Sequence, residues 1–77
     1  MATTALSLGL EAGIRYAQQN VGERRRLGRI ARAHTAAELA ELMAGTQVEP
    51  PEPDSRVAYW SGFAHGVRQF LQEEARA

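Results

Sequence analysis

A seven-residue pattern occurs twice in this chain: Gly9-Leu10-Glu11-Ala12-Gly13-Ile14-Arg15 returns as Gly62-Phe63-Ala64-His65-Gly66-Val67-Arg68. Both copies read Gly, large apolar, two variable positions, Gly, β-branched apolar, Arg. The match extends outward, with Leu6 corresponding to Tyr59 and Ala17 to Phe70. Glycine inside a helix costs about 1 kcal/mol against alanine. Two helices that each keep a glycine pair at spacing four need a shared reason. Close approach is the plainest, with a neighbour lying nearer to each backbone than a side chain would allow. Gly9, Gly13, Gly62 and Gly66 are therefore read as the contact edges of a first and a last helix that cross.

The periodicity around these edges is helical throughout. The first helix is expected over residues 4–19, with Leu6, Leu10, Ile14, Ala17 and Val21 on one apolar stripe. Asn20-Val21-Gly22-Glu23 has the form of a capping box. It would open an arginine-rich helix over 21–33, with Leu27, Ile30, Ala31 and His34 on its apolar face. The stripe breaks at Thr35, where Thr35-Ala36-Ala37-Glu38 forms a second capping box. A short helix over 36–44 follows, and Gly45 is its stop. His34 precedes that cap and could pack on Leu39 as a staple. Residues 45–54 contain Glu49-Pro50-Pro51-Glu52-Pro53, too dense in proline for helix and read as a stiff connector. Asp54 or Ser55 caps the last helix, 55–74, whose face carries Tyr59, Trp60, Phe63, Val67, Phe70 and Leu71. The expected fold is all-α: one domain over 1–77, a small bundle of three to four helices with the first and last paired.

Seventy-seven residues bury a modest core. The chain has no cysteine, so neither a disulfide nor a thiolate metal site can staple it. Small unstapled domains often gain stability by self-association or by docking on a partner. The net charge is zero but unevenly spread: residues 1–34 carry +4 and residues 35–77 carry −4. Every basic residue is arginine, in keeping with a GC-rich genome and a bacterial or phage source. No secretory signal is expected, because the first ten residues carry no basic n-region and no long apolar h-region, and no membrane span, because Glu11 and Arg15 interrupt the only apolar candidate. A cytoplasmic location is the default.

Five arginines fall within nine residues: Arg24, Arg25, Arg26, Arg29 and Arg32. On a helix Arg25, Arg29 and Arg32 project together, towards an acidic protein surface or successive phosphates. Nucleic acid is the weaker reading, since a genuine footprint usually comes with net positive charge. Residues 34–45 resemble the first helix of a helix-turn-helix unit, with a Thr-x-x-Glu-Leu-Ala start and a glycine turn. The likeness covers those twelve residues and then departs from the pattern. Glu49-Pro50-Pro51-Glu52-Pro53 stands where a recognition helix should begin.

Catalysis has little support. Ser7, Ser55 and Ser61 lack a base-and-orienter pattern, and the glycines lie within helices rather than in a phosphate-binding loop. No cofactor, metal or small-molecule substrate is implied. The expectation is a non-enzymatic protein-binding module, a small regulator or inhibitor. Tyr59, Trp60 and Phe63 would be its anchors, and Arg25, Arg29 and Arg32 its electrostatic complement. The alternatives are a DNA- or RNA-binding regulator using Arg24–Arg32 and a structural homo-oligomer, a homodimer first.

Overall fold

The computed structural model describes residues 4–76. It contains α1 (Ala5–Gln19), α2 (Arg24–Ala31), α3 (Ala36–Leu42), a 3-10 turn at Pro53–Ser55 and α4 (Arg56–Arg76). The 21 residues of α4 span about 31 Å at the helical rise. The longest dimension of the molecule is 35 Å, so α4 is its spine. α1 packs along α4 over the main helix–helix interface, and α2 and α3 cover the same spine.

The α1–α4 contact is made backbone to backbone. A Cβ at Gly9 would collide with the Tyr59 carbonyl, and one at Gly13 with the Phe63 carbonyl. Reciprocally, a Cβ at Gly62 would strike the Leu6 carbonyl and one at Gly66 the Leu10 carbonyl. All four lie well inside 3.0 Å, a separation real Cβ atoms essentially never show. Each glycine thus faces the carbonyl of the residue three positions before the matching glycine on the other helix. Contacts ascend together along both helices, so α1 and α4 run parallel and are related by an approximate twofold.

This geometry overturns the expected apolar stripe of α1. Of Leu6, Leu10, Ile14, Ala17 and Val21, only Ala17 is a buried core residue. Leu6 is 52% and Val21 42% exposed, and Leu10 and Ile14 lie outside the core cluster. The core side of α1 is built instead from Ala5, Ala12, Tyr16 and Ala17 beside the buried glycines. Contact at backbone distance requires the smallest face of α1 to meet α4, which turns its largest aliphatic side chains aside.

α4 supplies the volume that α1 lacks. Phe63 is fully buried, with Tyr16 at 5.6 Å and Trp60 at 5.5 Å between ring centroids, the latter edge-on. Offset and edge-to-face pairs of this kind favour aromatic contact beyond area alone. Leu27 and Ile30 of α2, Leu39 and Met43 of the α3 region, and Val67 of α4 complete the core.

Helix ends follow local hydrogen bonding. Thr4 caps α1, its Oγ1 accepting from Ser7 N–H at 3.1 Å. Thr35 Oγ1 accepts from Glu38 N–H at 3.0 Å, and Glu38 Oε2 accepts from His34 N–H at 3.1 Å. The Thr35–Glu38 box therefore closes one residue further back than the usual reciprocal pair. The His34 side chain stays exposed; its contribution to the cap is the backbone N–H. α3 ends at Leu42, and Gly45 follows in the left-handed region at φ 87°.

The Asn20 box is not formed. Asn20 closes α1, its N–H donating to Ala17 O and its Nδ2 to Tyr16 O at 2.8 Å. The orphan carbonyls of α1 capture this residue, so α2 begins three residues later than expected and without a side-chain cap. At the start of α4, neither Asp54 nor Ser55 acts as the expected cap. Ser55 Oγ donates to Glu52 O at 2.8 Å, and Pro53–Ser55 forms the 3-10 turn leading into Arg56.

Candidate interaction surface

Eight residues make α2, and arginine occupies its first three positions. Cations at a helix N-terminus oppose the helix dipole, and no side chain caps this one. Burial of Leu27 and Ile30 holds α2 against α4, and two of its arginines are tied back into the protein. Arg24 Nη2 lies 3.0 Å from Glu74 Oε1, the ion pair found among the described residues. Arg26 Nε donates to the Tyr16 hydroxyl at 2.8 Å, and its Nη2 donates to the Leu42 carbonyl. One guanidinium thus joins α1, α2 and the end of α3.

Arg25, Arg29 and Arg32 are exposed and hold no carboxylate partner among the described residues. They do not form one array. Arg25 and Arg29 join Arg24, Arg26, Gly22 and Glu23 around an open recess of about 540 Å³. Arg32 folds back over Gly28, whose absent Cβ would stand 3.4 Å from Arg32 Nη1.

The aromatic anchors are corrected outright. Tyr59, Trp60 and Phe63 are 7%, 4% and 0% exposed and belong to the core. Burial pushes the Tyr59 phenol above its ordinary value of 10.0, so it is neutral through the physiological range. Phe63 is closed off entirely, while Trp60 shows only an edge to the groove beside α3 and Tyr59 an edge to the recess beside Arg15. α1 offers α4 only small residues and Tyr16, so the α4 aromatics are consumed in filling the interior.

Arg26 is the residue sequence reasoning missed. Its partners lie ten and sixteen positions away across two turns, beyond any local signal. Arg26→Gln is expected to cost about 1.5–3 kcal/mol, the usual range for hydrogen bonds to a charged group. That lowers the melting temperature by roughly 10 °C for a domain of this size. Arg25→Gln should leave it unchanged. Circular-dichroism melts of the two variants check the contrast.

Among the described residues, no group of three His, Cys, Asp or Glu side chains could hold a metal ion. No helix there is long and apolar enough to cross a membrane. A second groove, of about 390 Å³, runs between the α2–α3 turn and α4, with Leu39, Trp60, Ala64 and Arg68 among its lining residues. No protein-family pattern, curated protein or solved structure matches the chain significantly.

Proposed function

We propose that this chain is a non-enzymatic interaction module, a small regulator or inhibitor that docks α2 on an acidic surface of a partner protein. The observation that carries the reading is the division of labour within α2. Leu27, Ile30 and Arg26 fix the helix, while Arg25 and Arg29 stand exposed and, among the described residues, without a carboxylate in an ion pair. Arginine on a fixed helix loses less freedom on binding than on a mobile segment, and its planar fork matches carboxylates. Arg32, at the C-cap of α2 and folded over Gly28, stands apart from this pair. The glycine seam of Gly9, Gly13, Gly62 and Gly66 is, in this reading, the scaffold that sets α1 on α4. A cytoplasmic setting suits a chain without cysteine.

Electrostatic complementarity of this kind acts on both acidic protein surfaces and phosphate backbones. The zero net charge of the chain favours the protein partner. Fluorescence anisotropy separates the two, using labelled poly-glutamate, random duplex DNA and single-stranded DNA at about 50 and 200 mM salt. The expected result is binding of poly-glutamate that Arg25→Glu with Arg29→Glu abolishes while the helical spectrum is retained. Saturable, steeply salt-dependent binding of DNA alone would replace the protein partner with nucleic acid. No binding of any probe at low salt would remove α2 as the docking surface.

A further inference from the structure

One face of α4 is left open along the groove beside α3. Val57, Trp60, Ser61, Ala64 and Arg68 of that groove fall within about 100° of helical arc and span about 16 Å of helix axis. The arc lies roughly opposite Gly62 and Gly66, so α1 packs on the far side of α4 and cannot cover it. α2 and α3 are eight and seven residues long, and the turn that joins them lines the other wall. Helices this short end before they can roof a neighbour of 21 residues. What remains is a trough of about 390 Å³, lined by Leu39, Ala64 and an edge of Trp60. A helix is about 10–12 Å across, so the trough takes a row of side chains rather than a whole helix.

The two ends of the trough differ in chemistry. At one end stands Val57, an aliphatic side chain that is 73% exposed. At the other stands Arg68, exposed and in no ion pair among the described residues. The exposed His34 side chain adds an imidazole to the rim. No Asp or Glu among the described residues lines the trough. Glu38, the acid nearest to the turn in sequence, already accepts from the His34 N–H.

We propose that this trough receives an amphipathic helix of a partner protein, with apolar side chains over Val57 and Trp60 and a carboxylate on Arg68. Charge complementarity selects the acid. A basic occupant would meet like charge at Arg68, and a wholly apolar one would cover that guanidinium without pairing it. The α4 wall repeats at helical spacing, so apolar anchors at i, i+4 and i+7 of the incoming helix match it. The carboxylate then belongs about three turns from the leading anchor, the separation of Val57 and Arg68. The trough shares no residue with Arg25 and Arg29, so it goes beyond the α2 reading and does not depend on it.

Trp60 is the only tryptophan of the chain, and its emission reports on the trough directly. The probe is a tryptophan-free amphipathic peptide of about 16 residues, with leucine at i, i+4 and i+7 and glutamate at i+11, added to the full chain. The expected result is a saturable shift of Trp60 emission. Val57→Asp and Arg68→Glu should each weaken binding about tenfold. Both positions are exposed, so each variant keeps the helical spectrum. Exchanging the peptide glutamate for lysine should weaken binding to the unaltered chain and restore it to Arg68→Glu. Arg25→Glu with Arg29→Glu should leave the shift in place, which separates the trough from the α2 surface. No saturable shift, or one that Val57→Asp and Arg68→Glu both leave unchanged, would overturn the trough as a docking site. Binding indifferent to the glutamate–lysine exchange would overturn the acidic partner. A shift that appears on concentrating the chain without peptide would replace the partner with a second copy.

Discussion

Gly13→Ala is expected to lower the melting temperature by roughly 10–20 °C, the equivalent of about 2–3 kcal/mol in a domain of this size. Helix propensity alone predicts the opposite sign, a gain of about 1 kcal/mol. The collision wins because the obstacle is the main-chain carbonyl of Phe63, which cannot rotate away as a side chain could. The helices must separate, and the loss is shared along the whole α1–α4 seam. Gly66→Leu should be worse, since it adds bulk where even a Cβ meets the Leu10 carbonyl. Gly28→Ala provides the control. Its nearest obstacle is the flexible end of Arg32 at 3.4 Å, so the propensity gain should survive there. Thermal melts that shift alike for Gly13→Ala and Gly28→Ala would remove the seam as the determinant of pairing.

Phe63→Ala is expected to remove a large part of the chain's stability and to move the unfolding midpoint far down. Truncating a fully buried phenylalanine costs about 3–5 kcal/mol, against about 4–12 kcal/mol for the whole of a 77-residue domain. Phe63 touches Tyr16 across the seam and Trp60 within its own helix, so its loss opens a cavity bounded by both. Urea unfolding followed by Trp60 fluorescence measures the effect. A surface anchor at this position would leave the unfolding midpoint unmoved, and that result would contradict its placement in the core.

Legibility in the sequence tracked the range of the interaction. The start of α3 was readable because Thr35, Glu38 and the intervening amides close their bonds within one turn. Asn20 was misread because two helices compete for it, and the pattern cannot say which terminus wins. Arg26 was unreadable as a structural residue because Tyr16 and Leu42 reach it only after three elements have packed. The aromatic cluster of α4 was visible, yet its composition suits a core and an interface equally.

Composition and spacing alone pointed to an all-helical chain of three to four helices, to a pairing of the first and last, and to the arginine density of the second. These rest on periodicity, caps and glycine placement, each a property of neighbouring residues. Which face of α1 is buried was decided in three dimensions. Hydrophobic pattern assigns the inside to the largest side chains, but a seam at backbone distance admits only the smallest. Once Gly9 and Gly13 meet α4, the larger aliphatic side chains of α1 are turned aside from the core, leaving Leu10 and Ile14 half-buried and Leu6 exposed, and Tyr59, Trp60 and Phe63 fill the space.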